Sequence, residues 1–90
     1  MAEVNARIEC DDEENAKRLF EHMAANDLYT QGLEQDWCTV GAWINPSNVT
    51  AIEKFARVER INLTIETWPI DMEYDDAEES GDLETVSVSV

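Results

Sequence analysis

Hydrophobic and polar residues alternate at the start of the chain and then change to a helical period. The stretch "EVNARIEC" (3–10) alternates strictly, which predicts a half-buried strand. The stretch "DDEENAKRLFEHMAAND" that follows predicts a helix from about 12 to 26, with Asp11 and Glu14 at capping-box spacing. The apolar positions of the two elements are Val4, Ala6, Ile8 and Cys10 in the strand and Ala16, Leu19, Phe20 and Met23 in the helix.

The middle of the chain is less regular. The stretch "LYTQGLEQD" (28–36) fits either a short strand, with Gly32 permitting a bulge, or a loop. The stretch "WCTVGAWI" (37–44) alternates and predicts a strand. One face of that strand carries Cys38, Val40, Ala42 and Ile44, and the other carries Trp37, Thr39, Gly41 and Trp43.

A second helix and two further strands complete the pattern. The stretch "NPSNVTAIEKFARVE" (45–59) predicts a helix capped by Asn45, with Pro46 at its first position. The stretch "INLTIETW" (61–68) alternates again and ends before Pro69, and "ETVSVSV" predicts a last strand. The inward positions are Val49, Ile52, Phe55 and Ala56 in the helix and Ile61, Leu63 and Ile65 in the strand 61–68. The last strand has a small apolar face of Val86, Val88 and Val90.

This order of elements predicts an α+β fold, a small antiparallel sheet with two helices on one face. If 28–35 is a strand, the order matches the ferredoxin-like plan, and if it is a loop, the remainder is a three- or four-stranded α+β sandwich. The 90 residues are expected to form one domain,. Within it we distinguish an α+β core (1–68), an acidic segment (69–84) and a C-terminal strand (85–90).

The net charge of the chain indicates which kinds of partner it can bind. The chain has 21 acidic and 6 basic residues, a net charge of −15. Residues 61–90 contain nine acids and no base. Such a charge repels nucleic acid and anionic membranes and attracts basic surfaces. Direct nucleic-acid and membrane binding are therefore disfavoured, and a basic protein partner is favoured.

Candidate catalytic and metal-binding residues are few. His22 is the only histidine, and its place on an amphipathic helix favours a packing role over general-base catalysis. Cys10 and Cys38 are expected to be small core residues in a reduced, cytoplasmic setting. They do not have zinc-ligand spacing, and the calcium-loop pattern starting at Asp71 fails because position six is not Gly. We therefore expect no enzyme activity, cofactor or metal.

Two features indicate a partner-binding surface. Trp43 and Trp68 occupy strand faces opposite the aliphatic ones, where aromatic side chains can anchor a partner unless the C-terminal segment covers them. The stretch "WPIDMEYDDAEESGDLE" (68–84) has eight carboxylates in seventeen positions and no base. These carboxylates are Asp71, Glu73, Asp75, Asp76, Glu78, Glu79, Asp82 and Glu84.

The acidic segment has three competing interpretations. The segment can be interpreted as a solvated connection, as an adaptation to high intracellular salt, or as an imitation of a nucleic-acid backbone. Imitation is favoured because the segment contains Met72, Tyr74 and Leu83 and leads into a strand, unlike a solvated tail, and because the acidity rises sharply toward residues 61–90,. A helix through the segment would align Asp71, Asp75, Glu78 and Asp82 on one face. An extended segment would instead carry its charges several-fold less densely than the duplex, which has one charge per about 1.7 Å.

The small domain, its high negative charge and "MEYDDAEESGDLE" after an α+β core together resemble the small acidic phage-encoded inhibitors of bacterial defence, notably anti-CRISPR proteins. The resemblance is one of class and implies a non-enzymatic inhibitor that occupies the nucleic-acid-binding surface of a Cas protein or complex. The alternative is a cytoplasmic antitoxin, immunity or adaptor protein with a basic partner. A homodimer is an open alternative for either function.

Overall fold

The computed structural model describes residues 3–26, 29–33 and 37–90, and of residues 29–33 it describes the backbone. Eight elements follow one another along the chain. They are β1 (Val4–Cys10), α1 (Glu13–Ala25), β2 (Tyr29–Leu33), β3 (Thr39–Ile44), α2 (Pro46–Glu59), β4 (Leu63–Pro69), α3 (Tyr74–Ser80) and β5 (Glu84–Val88).

The five strands form one sheet in the order β2-β3-β1-β4-β5. All four neighbouring pairs are antiparallel. The fold is therefore α+β, as the sequence predicted. The first six elements follow one another as β-α-β-β-α-β, the succession of the ferredoxin-like plan, and β5 extends the sheet beyond β4.

One face of the sheet forms the hydrophobic core with α1 and α2. The register places Ile8 of β1 beside Val40 of β3 and Ile65 of β4, so the apolar positions of three strands meet in one row. Leu19 of α1 and Ile52 of α2 are fully buried against this face. The predicted inward faces of both helices, of β1 and of β4 are thus confirmed. In β3 the prediction is confirmed for Val40, Ala42 and Ile44, whereas Cys38 precedes the strand and is only half-buried.

The first two helices begin where capping residues satisfy their free N–H groups. The Asp12 carboxylate accepts a hydrogen bond from the Asn15 N–H at 2.7 Å. The Asn48 side chain accepts one from the Asn45 N–H at 3.0 Å, just before Pro46 begins α2. Helix α2 ends at Arg60, which has a left-handed backbone conformation.

Near β3, one feature differs from the sequence prediction and one open question is answered. This strand begins at Thr39 and not at Trp37, because Trp37 has φ 60° and cannot continue an extended strand,. Residues 28–36 fitted either a strand or a loop, and the described part, Tyr29–Leu33, is a strand that pairs with β3. The register shifts between Thr30 and Gly32, where a bulge was permitted. Positions 27–28 and 34–36 lie outside the described residues.

The prediction of two helices on one face was incomplete, because a third helix, α3, packs on the other face. Its Tyr74 contacts Glu66 and Trp68 of β4. Both side chains lie opposite the core face, since they alternate with Ile65 and Thr67 along the strand,. The sheet is therefore covered by α1 and α2 on one side and partly by α3 on the other.

Candidate partner-binding surface

Helix α3 forms inside the acidic segment because its ends are well defined. Asp75 and Asp76 lie in its first turn, where negative charge interacts favourably with the helix dipole. Gly81 follows the last turn with φ 84°, a left-handed conformation that a residue without Cβ adopts at little cost. The Asp82 N–H then donates a hydrogen bond to the Ala77 carbonyl at 2.9 Å, which closes the helix.

Tyr74 and Ala77 attach α3 to the sheet. The Tyr74 hydroxyl donates a hydrogen bond to a Glu66 carboxylate oxygen at 2.7 Å. Its ring meets Trp68 edge-on with the centroids 5.1 Å apart, a favourable aromatic geometry. The guanidinium of Arg7 lies 5.7 Å from the same ring's centroid, within cation–π range. Because Ala77 is fully buried, the acidic helix is packed against the protein.

The eight predicted carboxylates all lie at the surface. Each of Asp71, Glu73, Asp75, Asp76, Glu78, Glu79, Asp82 and Glu84 is exposed. The predicted alignment of four acids on one helix was wrong, since α3 runs only from Tyr74 to Ser80. It includes Asp75 and Glu78, whereas Asp71 precedes it and Asp82 follows it.

Folding into a helix concentrates the negative charge. Four acids lie within the seven residues of α3, which span about 10 Å at about 1.5 Å per residue. That is about one carboxylate per 2.6 Å, between the spacing of about 3.4 Å in one DNA strand and about 1.7 Å in the duplex. The helical segment therefore approaches the charge density of a nucleic acid far better than an extended one.

Basic residues are unevenly distributed over the two faces of the sheet. Five of the six lie on or directly after the two core helices. Lys17 and Arg18 are in α1, Lys54 and Arg57 are in α2, and Arg60 is the cap residue that follows α2. Two of them pair with acids on the same side, Arg18 with Glu59 and Arg57 with Glu53. The sixth, Arg7, lies against Tyr74 and is half-buried. The surface of α3 is therefore almost purely acidic.

The two predicted tryptophans lie on the same face of the sheet as α3. Asn5 of β1 is paired with Trp43 of β3 on one side and with Trp68 of β4 on the other, so the three form one cross-strand row. Trp68 is half-buried by Tyr74, whereas Trp43 is 39% exposed. Of the two, Trp43 is therefore the better placed to contact a partner.

Titration of Tyr74 should report the attachment of α3. Its hydrogen bond to Glu66 raises the pKa of Tyr74 to about 12 from an ordinary value of 10.0. Because the folded-state pKa lies above the unfolded one, the bond stabilises the protein fully below pH 10 and is lost as pH rises toward 12,. Absorbance titration of tyrosinate should show this late transition, and Glu66→Gln should lower its pKa.

The variant Tyr74→Phe serves as the control for that titration and should remove the late transition altogether. A Tyr74 transition at the pKa of an ordinary tyrosine would contradict the described attachment of α3.

The remaining candidate residues have packing environments. His22 stacks on Phe55 with the ring centroids 3.9 Å apart. Cys10 is buried, and this burial is the main reason why its pKa rises to about 12, so its thiol stays protonated. Among the described residues, no group of three or more His, Cys, Asp or Glu side chains has the arrangement of a metal site.

Three residues hold the acidic surface in place and were not predicted from the sequence: Arg7, Glu66 and Tyr74. Arg7 and Glu66 alternate with core residues along β1 and β4, which places both on the sheet face opposite the core. For Tyr74, the sequence indicates a packing role only by placing an aromatic residue within an acidic run.

No protein-family model, curated protein or solved structure matches the chain. In the part of the chain that the structure describes, every helix is too short or too polar to cross a membrane.

Proposed function

We propose that this protein is a non-enzymatic inhibitor that binds the basic, nucleic-acid-binding surface of a bacterial defence protein, such as a CRISPR–Cas effector. The acidic surface of residues 71–84 acts in place of the nucleic-acid backbone. One observation carries the proposal: all eight carboxylates of this surface are exposed, while Tyr74 and Ala77 hold its helix against the sheet.

The chemistry of recognition follows from this arrangement. Nucleic-acid-binding surfaces present Lys and Arg side chains to phosphate oxygens. Carboxylates accept the same charge-assisted hydrogen bonds, and Arg can bind them through two N–H groups at once. Because α3 is already folded and packed, less conformational freedom is lost on binding than with a disordered acidic tail.

The same geometry disfavours both a solvated connection and an adaptation to high salt. A solvated connection has no reason to bury Ala77 completely or to donate a tyrosine hydroxyl to Glu66. An adaptation to high salt affects the whole surface, whereas here five of the six bases lie on the helices across the sheet from α3. Local concentration of one charge is typical of a surface that binds an oppositely charged partner.

Trp43 extends the proposed surface beyond electrostatics. Partly exposed tryptophans are enriched among the residues that dominate binding energy in protein interfaces. The indole of Trp43 lies on the same sheet face as α3 and is 39% exposed. We assign it an anchoring role next to the carboxylates. Binding in this account is stoichiometric and takes place in the cytoplasm of the host cell, and it requires no cofactor.

Competition with nucleic acid tests the proposed function. A pull-down from a lysate that contains CRISPR or restriction machinery supplies the partner, whose affinity is then titrated with and without its own DNA or RNA. Excess nucleic acid should displace this protein, because both ligands occupy one basic surface. The affinity should also fall between low and moderate salt, since exposed charges are screened beyond about 8 Å at 0.15 M.

A partner that binds this protein and its nucleic acid at the same time would overturn the mimicry. It would instead favour an antitoxin, immunity or adaptor function, in which the basic surface serves another purpose.

A further inference from the structure

A second surface lies on α1, across the sheet from α3. We call it the Trp37 groove. It has a volume of about 490 Å³ and is lined by Glu13, Lys17, Phe20, Glu21 and Trp37. Ligand pockets typically have volumes of about 300–1,000 Å³, so the groove has room for one long side chain and part of its flanking backbone.

The groove is built from two aromatic residues in different settings. Phe20 is half-buried and packs against the hydrophobic core, which fixes its position. Trp37 is 58% exposed and has φ 60°, a backbone conformation that is rare for a bulky residue. An indole held at the surface beside a fixed phenyl ring presents a flat apolar wall to solvent.

Carboxylates lie at both ends of this apolar wall. Glu13 and Glu21 are eight residues apart on α1, which is about 12 Å along the helix axis. Lys17 lies halfway between them, and the described residues of the lining together carry one net negative charge. The exposed acids Asp11, Asp12 and Glu14 at the start of α1 add to it. The groove therefore combines an apolar wall with two carboxylates and one ammonium group, so that acids predominate among its charged groups.

We propose that the Trp37 groove binds an arginine side chain from a basic segment of a protein partner. An arginine has an apolar stem that fits beside Phe20 and a flat guanidinium that stacks on indole. Its positive charge can also pair with the carboxylate of Glu13 or Glu21. A purely apolar side chain would remove water from these carboxylates without offering an interaction in return. A second copy of this chain is disfavoured because each copy carries a net charge of −15.

This site is separate from the surface of residues 71–84, and the two can be tested apart. The probe is a hexa-arginine peptide with blocked ends, added to isotopically labelled protein at moderate salt. A hexa-citrulline peptide, which has the same shape without the charge, is the control ligand. Nuclear magnetic resonance follows the indole N–H signal of Trp37 together with the backbone signals of Lys17 and Phe20.

The arginine peptide should shift all three signals and the citrulline peptide should not. Trp37→Ala should weaken binding measured at Lys17 and Phe20 by about tenfold, and Trp37→Phe should retain most of it, because the aromatic face supplies the stacking energy. The matched control Trp43→Ala, an exposed tryptophan on the other face, should leave this affinity unchanged. Neutralising Asp71, Asp75, Glu78 and Asp82 should also leave the Trp37 shift in place.

Three results would overturn the proposal. The first is a set of shifts confined to residues 71–84. The second is an equal response to the citrulline peptide, which indicates an apolar ligand. The third is a Trp37 signal that moves with protein concentration alone, which indicates a second copy as the occupant. None of these results contradicts the proposed function, whose surface lies on α3.

Discussion

Leu19→Ala should lower the free energy of unfolding by about 2–5 kcal/mol, the range for a buried leucine that leaves a cavity. Leu19 is fully buried between α1 and the sheet. Domains of this kind have a total stability of about 5–15 kcal/mol, so the variant should be partly unfolded at modest denaturant concentration. Urea unfolding followed by circular dichroism measures the change.

Val58→Ala is the matched control for this prediction. Val58 also lies on a helix but is 77% exposed, so its truncation should change stability by less than about 0.5 kcal/mol. Phe20 and Phe55, which the helical stripe also predicted as core residues, are only half-buried, and their truncation should have an intermediate effect. A loss below about 1 kcal/mol for Leu19→Ala would contradict the described packing of α1.

The elements of the α+β core could be predicted because their periods are strong. In β1, α1, α2 and β4, every predicted inward residue belongs to the buried core or packs against it. Such patterns depend only on which side of one element is apolar. The start of β3 could not be predicted, since the left-handed conformation of Trp37 leaves no trace in an alternating sequence.

The bounds of helix α3 and its packing on the sheet could not be predicted, because the helix has no apolar stripe. Only Tyr74 and Ala77 face the sheet, and the helix has seven residues, too few for a helical period to appear. Gly81 was the one local signal, as glycine often ends a helix. The exposed carboxylates themselves could be identified from the sequence. Their separation from the basic residues could not, because it depends on the strand order and on the face that α3 covers.

Neutralising four acids around α3 should abolish partner binding while leaving the fold intact. The variant carries Asp71→Asn, Asp75→Asn, Glu78→Gln and Asp82→Asn, all at exposed positions. Charge pairs in the centre of an interface contribute strongly, so we expect a loss of at least about 100-fold in affinity. Stability should be unchanged or higher, because removal of like charges relieves repulsion.

A matched variant separates this surface from net charge. Glu3→Gln, Glu9→Gln, Glu14→Gln and Glu53→Gln together remove the same charge outside residues 71–84. Among these positions, Glu53 is half-buried and has a long contact of 3.9 Å to the exposed Arg57, a distance at which an ion pair contributes little to stability. We expect this variant to lose less than about tenfold in affinity, since none of its charges belongs to residues 71–84 and most of their effect comes through the screened long-range field.

The affinity of the two quadruple variants for the captured partner, measured side by side at 0.15 M salt, is the most direct test of the acidic surface. Neutralisation around α3 should abolish binding, and the matched variant should still bind. An α3 variant within about threefold of the parent protein, or equal losses in both variants, would contradict this prediction.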